Sequence, residues 1–193
     1  ALGTKNLTVA GILSVAASKT LSASTGIITA NGEINIAGNL SFSGAGQLVL
    51  NSTVTSLGTF TANAGTVEYK GVGQTVAAVT YNELKINNTN QTSTVSGTFS
   101  TATLTVASGT LTISTTGVLT VTTTGTVNGT LQMTDAATLK LGGAFTVTGA
   151  GALFTAGGAT PTVTSTDEVT PVRFSFTVTA GGAIQTTALN FKF

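Results

Sequence analysis

The chain has 193 residues, with seven basic and six acidic side chains, 24 Gly, and no His, Cys or Trp. Charged residues make up 7% of it, against about 25% in an ordinary globular chain, while 41% are hydrophobic. This composition excludes disorder driven by charge, the basic footprint of a nucleic-acid binder, disulfide frameworks, and imidazole or thiol chemistry.

The chain starts at Ala1, a small residue of the kind a signal peptidase leaves, which supports an expectation of a secreted, extracellular or cell-surface protein. No apolar run approaches the roughly 18 residues of a membrane-spanning helix, so no membrane-spanning segment is expected. The first predicted element is a strand between Leu7 and Val15, flanked by Lys5 and Lys19. Its Leu7 and Val9 would project to one side, and with few charges on it the strand is a candidate pairing edge.

Near-alternating segments follow at Glu33-Ile-Asn-Ile36, Asn39-Leu-Ser-Phe42, Gln47-Leu-Val-Leu50, Thr66-Val-Glu-Tyr-Lys70 and Glu83-Leu-Lys-Ile86, with Thr138-Leu-Lys-Leu141 further on. Period two over four to six residues predicts strands with one face inward. Glu68/Lys70 and Glu83/Lys85 stand two residues apart and read as exposed pairs within a strand, worth at most about 1 kcal/mol. Gly71-Val-Gly73 reads as a turn.

From Gly109 an eight-residue repeat emerges: Gly109-Thr-Leu-Thr-Ile-Ser-Thr-Thr116, Gly117-Val-Leu-Thr-Val-Thr-Thr-Thr124, then Gly125-Thr-Val-Asn-Gly-Thr-Leu-Gln132, where the pattern decays at Gly129. About five residues of strand and three of corner fit eight. Only Asn31-Gly32 and Asn128-Gly129 carry the dipeptides favoured in tight hairpins. Stacking of like residues in ladders suits a Thr-, Val- and Gly-rich chain of low charge. The reading is therefore all-β, a parallel β-solenoid of many short strands, with an antiparallel β-sandwich as the alternative. Two or three strands per coil give about 16 to 24 residues per turn and a rod of roughly 40 to 55 Å.

The stretch from Gly65 to Ser114 contains Gly-Thr-Val-Glu-Tyr-Lys-Gly-Val-Gly-Gln-Thr-Val, Tyr-Asn-Glu-Leu-Lys-Ile-Asn-Asn and Gly-Thr-Phe-Ser-Thr-Ala-Thr-Leu-Thr-Val. It resembles the repeats of secreted bacterial surface proteins of the filamentous-haemagglutinin and autotransporter-passenger type. The resemblance implies a right-handed β-solenoid with structural or adhesive roles.

Residues 1–160 are thus expected to form the solenoid and 161–193 a capping or subunit-docking unit. The latter contains Pro161, Pro171 and the acidic pair Asp167-Glu168, then alternating strands with Phe174, Phe176, Phe191 and Phe193. These four Phe, with Leu7 and Val9, are the candidate assembly residues. Acid–base chemistry would have to rest on Glu33, Glu68, Glu83, Asp135, Asp167 and Glu168, which are scattered apart from the last two. No catalytic, cofactor-binding or metal residue is assigned and no cofactor is expected. The expected function is mechanical: a subunit that assembles with copies of itself into a layer, sheath or filament. The alternative is an adhesin, or an ice- or carbohydrate-binding module using Thr-x-Thr pairs such as Thr103/Thr105, Thr110/Thr112 and Thr120/Thr122. Six Asn-x-Ser/Thr sequons, at Asn6, Asn39, Asn51, Asn87, Asn90 and Asn128, are possible attachment points for surface glycans.

Overall fold

The computed structural model describes residues 1–158, 161–166, 175–179, 181–186 and 189–192. Among them there is no helix. The chain winds through coils with three sides, here called A, B and C. The first coil is β1 (Leu7–Val9), β2 (Leu13–Val15) and β3 (Thr20–Ala23); the second is β4 (Ile27–Ala30), β5 (Ile34–Ile36) and β6 (Asn39–Phe42). The third is β7 (Gln47–Leu50), β8 (Val54–Ser56) and β9 (Thr59–Thr61), and β10 (Thr66–Tyr69) opens the fourth. Then β11 (Thr80–Val95), β12 (Thr98–Ile113) and β13 (Val118–Val127) run around corners without breaking. Separate strands resume with β14 (Thr130–Thr134), β15 (Thr138–Leu141), β16 (Ala144–Thr148), β17 (Leu153–Gly157) and β18 (Thr162–Ser165). The last coil is β19 (Ser175–Thr179), β20 (Ala183–Thr186) and β21 (Asn190–Lys192).

Every strand ladder described is parallel, which makes the fold a β-solenoid of about 8 turns and not a sandwich. One inward column on side A shows the pitch: Leu7, Ile28, Leu48, Val67, Leu84, Leu104, Gly125, Phe145 and Phe176. The intervals are 21, 20, 19, 17, 20, 21, 20 and 31 residues, the last spanning residues 167–174, which lie outside those described. Eight steps at about 4.8 Å give a stack roughly 40 Å tall.

The eight-residue repeat is one side plus one corner. Leu111 and Ile113 point inward on side B, and Leu119 and Val121 on side C. On side A the inward pair is Gly125 and Val127, two residues earlier in the repeat. The corner before side A is therefore shorter, and this is why the third copy of the repeat decays. Gly125 is required by its neighbour: a Cβ there would overlap the ring of Phe145, which is fully buried in the next coil.

The core is a thin triangular column. Ile28, Ile34, Leu40, Leu84, Leu104, Leu111, Leu119 and Leu139 are all fully buried. On side C the rings of Phe42, Phe60, Tyr81 and Phe99 follow one another at centroid distances of 6.2, 6.0 and 6.3 Å, tilted or edge-to-face as aromatic quadrupoles prefer. Alternation carries these residues inward, and β-branched Thr and Val fill the pleated outer positions.

Candidate functional site: ends and faces of the solenoid

The N-terminal end exposes the first coil. β1 pairs only with β4, and β2 only with β5, so their outer edges meet no strand among the described residues. The expected single strand from Leu7 to Val15 is in fact these two strands, separated by a corner at Gly11. Leu7, Val9, Val15 and Leu21 are only partly buried, whereas Ile28, Ala30, Ile36 and Leu40 below them are fully buried. Ile12, at the corner, is 64% exposed.

Side C of this end is different. Leu2 N–H donates to Ser22 O at 2.7 Å, and Ser24 N–H donates to Gly3 O at 2.7 Å. Residues 2 and 3 thus lie along the outer edge of β3. Lys5 N–H turns back to Leu2 O at 3.1 Å, and Asn6 Oδ1 accepts from Ile27 N–H at 2.9 Å, which ties the segment down.

At the C-terminal end β19 pairs with β16, and β20 with β17; their outer edges meet no strand among the described residues. Phe176 is partly buried, stacked on Phe145 with centroids 5.2 Å apart and edge-on to Phe191 at 6.1 Å. Val178, Ile184 and Phe191 are 37%, 41% and 42% exposed, while Val147 and Phe154, one coil inward in the same columns, are fully buried. Of the candidate assembly residues, Leu7, Val9, Phe176 and Phe191 thus lie in end coils, and Phe174 and Phe193 lie outside the described residues, as do Asp167, Glu168 and Pro171. Sequence reasoning missed Ile184. Its signal was the short Ala183-Ile-Gln185 alternation between two more obvious runs.

The flanks carry the polar residues. Each described carboxylate takes a hydrogen bond from an adjacent coil: Glu33 from Thr55 Oγ1 (2.6 Å), Glu83 from Thr66 Oγ1 (2.7 Å) and Asp135 from Thr115 Oγ1 (2.7 Å). Glu68 takes two, from Gln47 Nε2 (3.0 Å) and Asn87 Nδ2 (2.7 Å), and its Oε1 lies 3.3 Å from Lys85 Nζ. This corrects the expectation of exposed intrastrand pairs. Glu68 bonds to Lys85 across strands, and although it points outward it is only 5% exposed, because Gln47 from the coil before and Lys85 and Asn87 from the coil after close over it.

Inside the short fourth coil, Tyr69 and Tyr81 join hydroxyls at 3.0 Å. Ala77 N–H donates to Tyr69 Oη at 3.0 Å, and Tyr81 Oη–H donates to Ala77 O at 2.7 Å, which leaves the Tyr69 proton to point at Tyr81. Burial pushes the Tyr69 hydroxyl up to about 12, against the opposing pull of its hydrogen bonds with Tyr81 and Ala77. Burial also raises Tyr81, helped by the neighbouring Tyr69. Gly71 to Gly73 forms the expected turn, with Val72 75% exposed.

The Thr-x-Thr pairs separate onto different sides: Thr110/Thr112 on side B, Thr120 on side C with Thr122 at the corner, and Thr103/Thr105 on side A. On side A the pairing continues through Thr124/Thr126, Ala144/Thr146 and Ser175/Thr177, an uncharged outward array two residues wide and four coils tall. Among the sequons, the Asn6, Asn39, Asn51 and Asn87 side chains are engaged in hydrogen bonds between coils, and Asn6, Asn51, Asn90 and Asn128 are exposed.

Among the described residues no three His, Cys, Asp or Glu side chains gather into a metal-binding group. No protein-family model matches the chain, and no significant match emerges among curated proteins or solved structures.

Proposed function

We propose that this chain is a structural building block of an extracellular assembly, a layer, sheath or filament, whose subunits associate through the ends of the solenoid. The observation that carries this reading is the state of the end coils. The outer edges of β1 and β2 at one end, and of β19, β20 and β21 at the other, have no strand beside them among the described residues, and most of the residues that continue the core columns there, Leu7, Val9, Val15, Phe176, Val178 and Ile184, are partly exposed. An uncovered edge with an apolar flank is a template for strand addition, and soluble proteins usually blunt it with Lys, Pro or a bulge. Here the edge strands β1, β2, β19 and β20 contain none of the charged residues or prolines of the chain. Burying a large apolar side chain completely is worth about 1.5–3 kcal/mol, so covering several half-exposed ones gives an end-to-end contact a substantial driving force.

The test is electron microscopy of the purified, never-denatured protein over a concentration series, beside Val178→Lys and Ile184→Lys. Lysine substitution is preferable to deleting the last coil, because deletion would bare the equivalent edges of β16 and β17. Regular polymers from the native chain, absent from both variants, are expected. Monodisperse short rods at every concentration would refute the reading.

A second reading is favoured by the Thr array on side A: a binding module, adhesive or ice- or carbohydrate-directed, that presents this face to a regular surface. A stable monomer that binds such a surface and loses binding on Thr126→Tyr would support it.

A further inference from the structure

The two ends are complementary in detail, and this deepens the assembly reading, on which the following inference rests. At the C-terminal end the inward positions run Phe176 and Val178 on side A, then Ile184 and Thr186 on side B. At the N-terminal end they run Leu7 and Val9 on side A, then Leu13 and Val15 on side B. Chain direction is the same at both ends, since all the ladders are parallel. A second copy placed below the last coil therefore continues both sheets with no change of hand or direction. Phe176 then lies over Leu7, Val178 over Val9, Ile184 over Leu13 and Thr186 over Val15. The contact joins unlike surfaces, so it does not close on itself and propagates.

Side C breaks the match. By the same register, β21 of one copy would take the place beside β3 of the next. That place is already held by the copy's own Leu2 and Gly3, through Leu2 N–H to Ser22 O and Ser24 N–H to Gly3 O. Two segments compete for one edge.

We propose that copies of this chain join head to tail on sides A and B, β19 on β1 and β20 on β2, with Thr177 against Thr8 and Gln185 against Ser14, and that Leu2 and Gly3 act as a plug on side C that must yield before β21 docks there. The plug makes joining slower and weaker than three open sides would allow, which suits a subunit that must stay single until it reaches its site of assembly.

The chain has no Cys, so engineered pairs report the joint without background. Paired parallel strands bring Cα atoms to about 5 Å, within the span a disulfide accepts. Under mild oxidation, Thr8→Cys with Thr177→Cys and Ser14→Cys with Gln185→Cys are expected to give a ladder of covalent multimers, and the mismatched Thr8→Cys with Gln185→Cys none. Leu2→Pro removes the donor to Ser22 and is expected to lower the concentration at which polymers form by about tenfold. Polymers seen by microscopy without ladders from the matched pairs would overturn the register while leaving self-assembly intact. An unchanged assembly concentration for Leu2→Pro would overturn the plug. The absence of both polymers and ladders at any concentration would overturn the joint and the assembly reading together.

Discussion

Gly125→Ala is the sharpest probe of the core. The added methyl would enter the space occupied by the Phe145 ring, in a column fully buried above and below. Overpacking of this kind costs about 1–3 kcal/mol. Against it stands the gain of about 0.4–1 kcal/mol from restricting the unfolded chain when Gly becomes Ala. The net expectation is a loss of about 1–2 kcal/mol, equivalent to roughly 2–8 °C in Tm for a chain of this size. Urea unfolding followed by far-ultraviolet circular dichroism measures it, with constant m-value as the check that one transition is being compared. Gly11→Ala, where an added Cβ meets nothing within 4 Å and φ is ordinary, is the control and should stay within about 0.5 kcal/mol of the native chain. Phe145→Leu gives the added methyl room, so Gly125→Ala should cost clearly less in that background. A neutral Gly125→Ala, or strict additivity of the two substitutions, would refute the argument that Gly125 is there for the ring beside it.

Replacing Glu68 with Ala strips the acceptor from Gln47 Nε2 and Asn87 Nδ2 and the counter-charge from Lys85. Lys85 is about one-third exposed and turns to water, so the expected loss is about 1–3 kcal/mol in chemical denaturation. Alkaline pH should destabilise the protein through its two tyrosines. A folded-state value of about 12 for Tyr69 against about 10 in the unfolded chain means that the folded state keeps its proton while the unfolded state loses it. Stability is then full below about pH 10 and falls between pH 10 and 12, by up to roughly 1.4 kcal/mol per pH unit for each such tyrosine. With no Trp and only these two Tyr, phenolate absorbance reports on them alone and should appear together with unfolding, not before it. Tyr81→Phe should flatten this slope.

Much of the architecture was legible because coil repetition writes itself into the chain. Leu111, Leu119 and the Gly at 109, 117 and 125 announce strand-plus-corner units, and low charge fits stacking in ladders. What stayed hidden depends on residues about 20 positions away. Glu68 looks like any outward strand residue; only Gln47, Lys85 and Asn87, each in a neighbouring coil, make it buried. The continuous strands β11 and β12 could not be foreseen from local turn chemistry, since Asn-Asn-Thr-Asn at 87–90 reads as a break. There Asn88 turns inward at a bulge and donates to Ser93 Oγ at 2.9 Å. The last coil was visible as Phe-rich alternation and the first as the low-charge run from Leu7 to Val15, but the plug at Leu2 and Gly3 was not, because nothing in Ala-Leu-Gly-Thr says which edge it will follow.

The stacking also sets how the molecule answers a pull. Its described ends lie at opposite ends of the stack, and each coil is held by the ladders to its immediate neighbours. Load applied along the axis would open the ladders in succession from the ends, not all at once. Each coil released would free about 20 residues, close to 70 Å of contour, where a folded coil occupies about 4.8 Å of height. A single subunit could thus lengthen more than tenfold in discrete steps while its middle, bound by the unbroken strands β11 and β12, stayed folded longest. In the proposed role at a surface under shear, such a subunit would act as a shock absorber, yielding in increments and, because adjacent coils are also adjacent in sequence, rewinding by the same path when the load is removed.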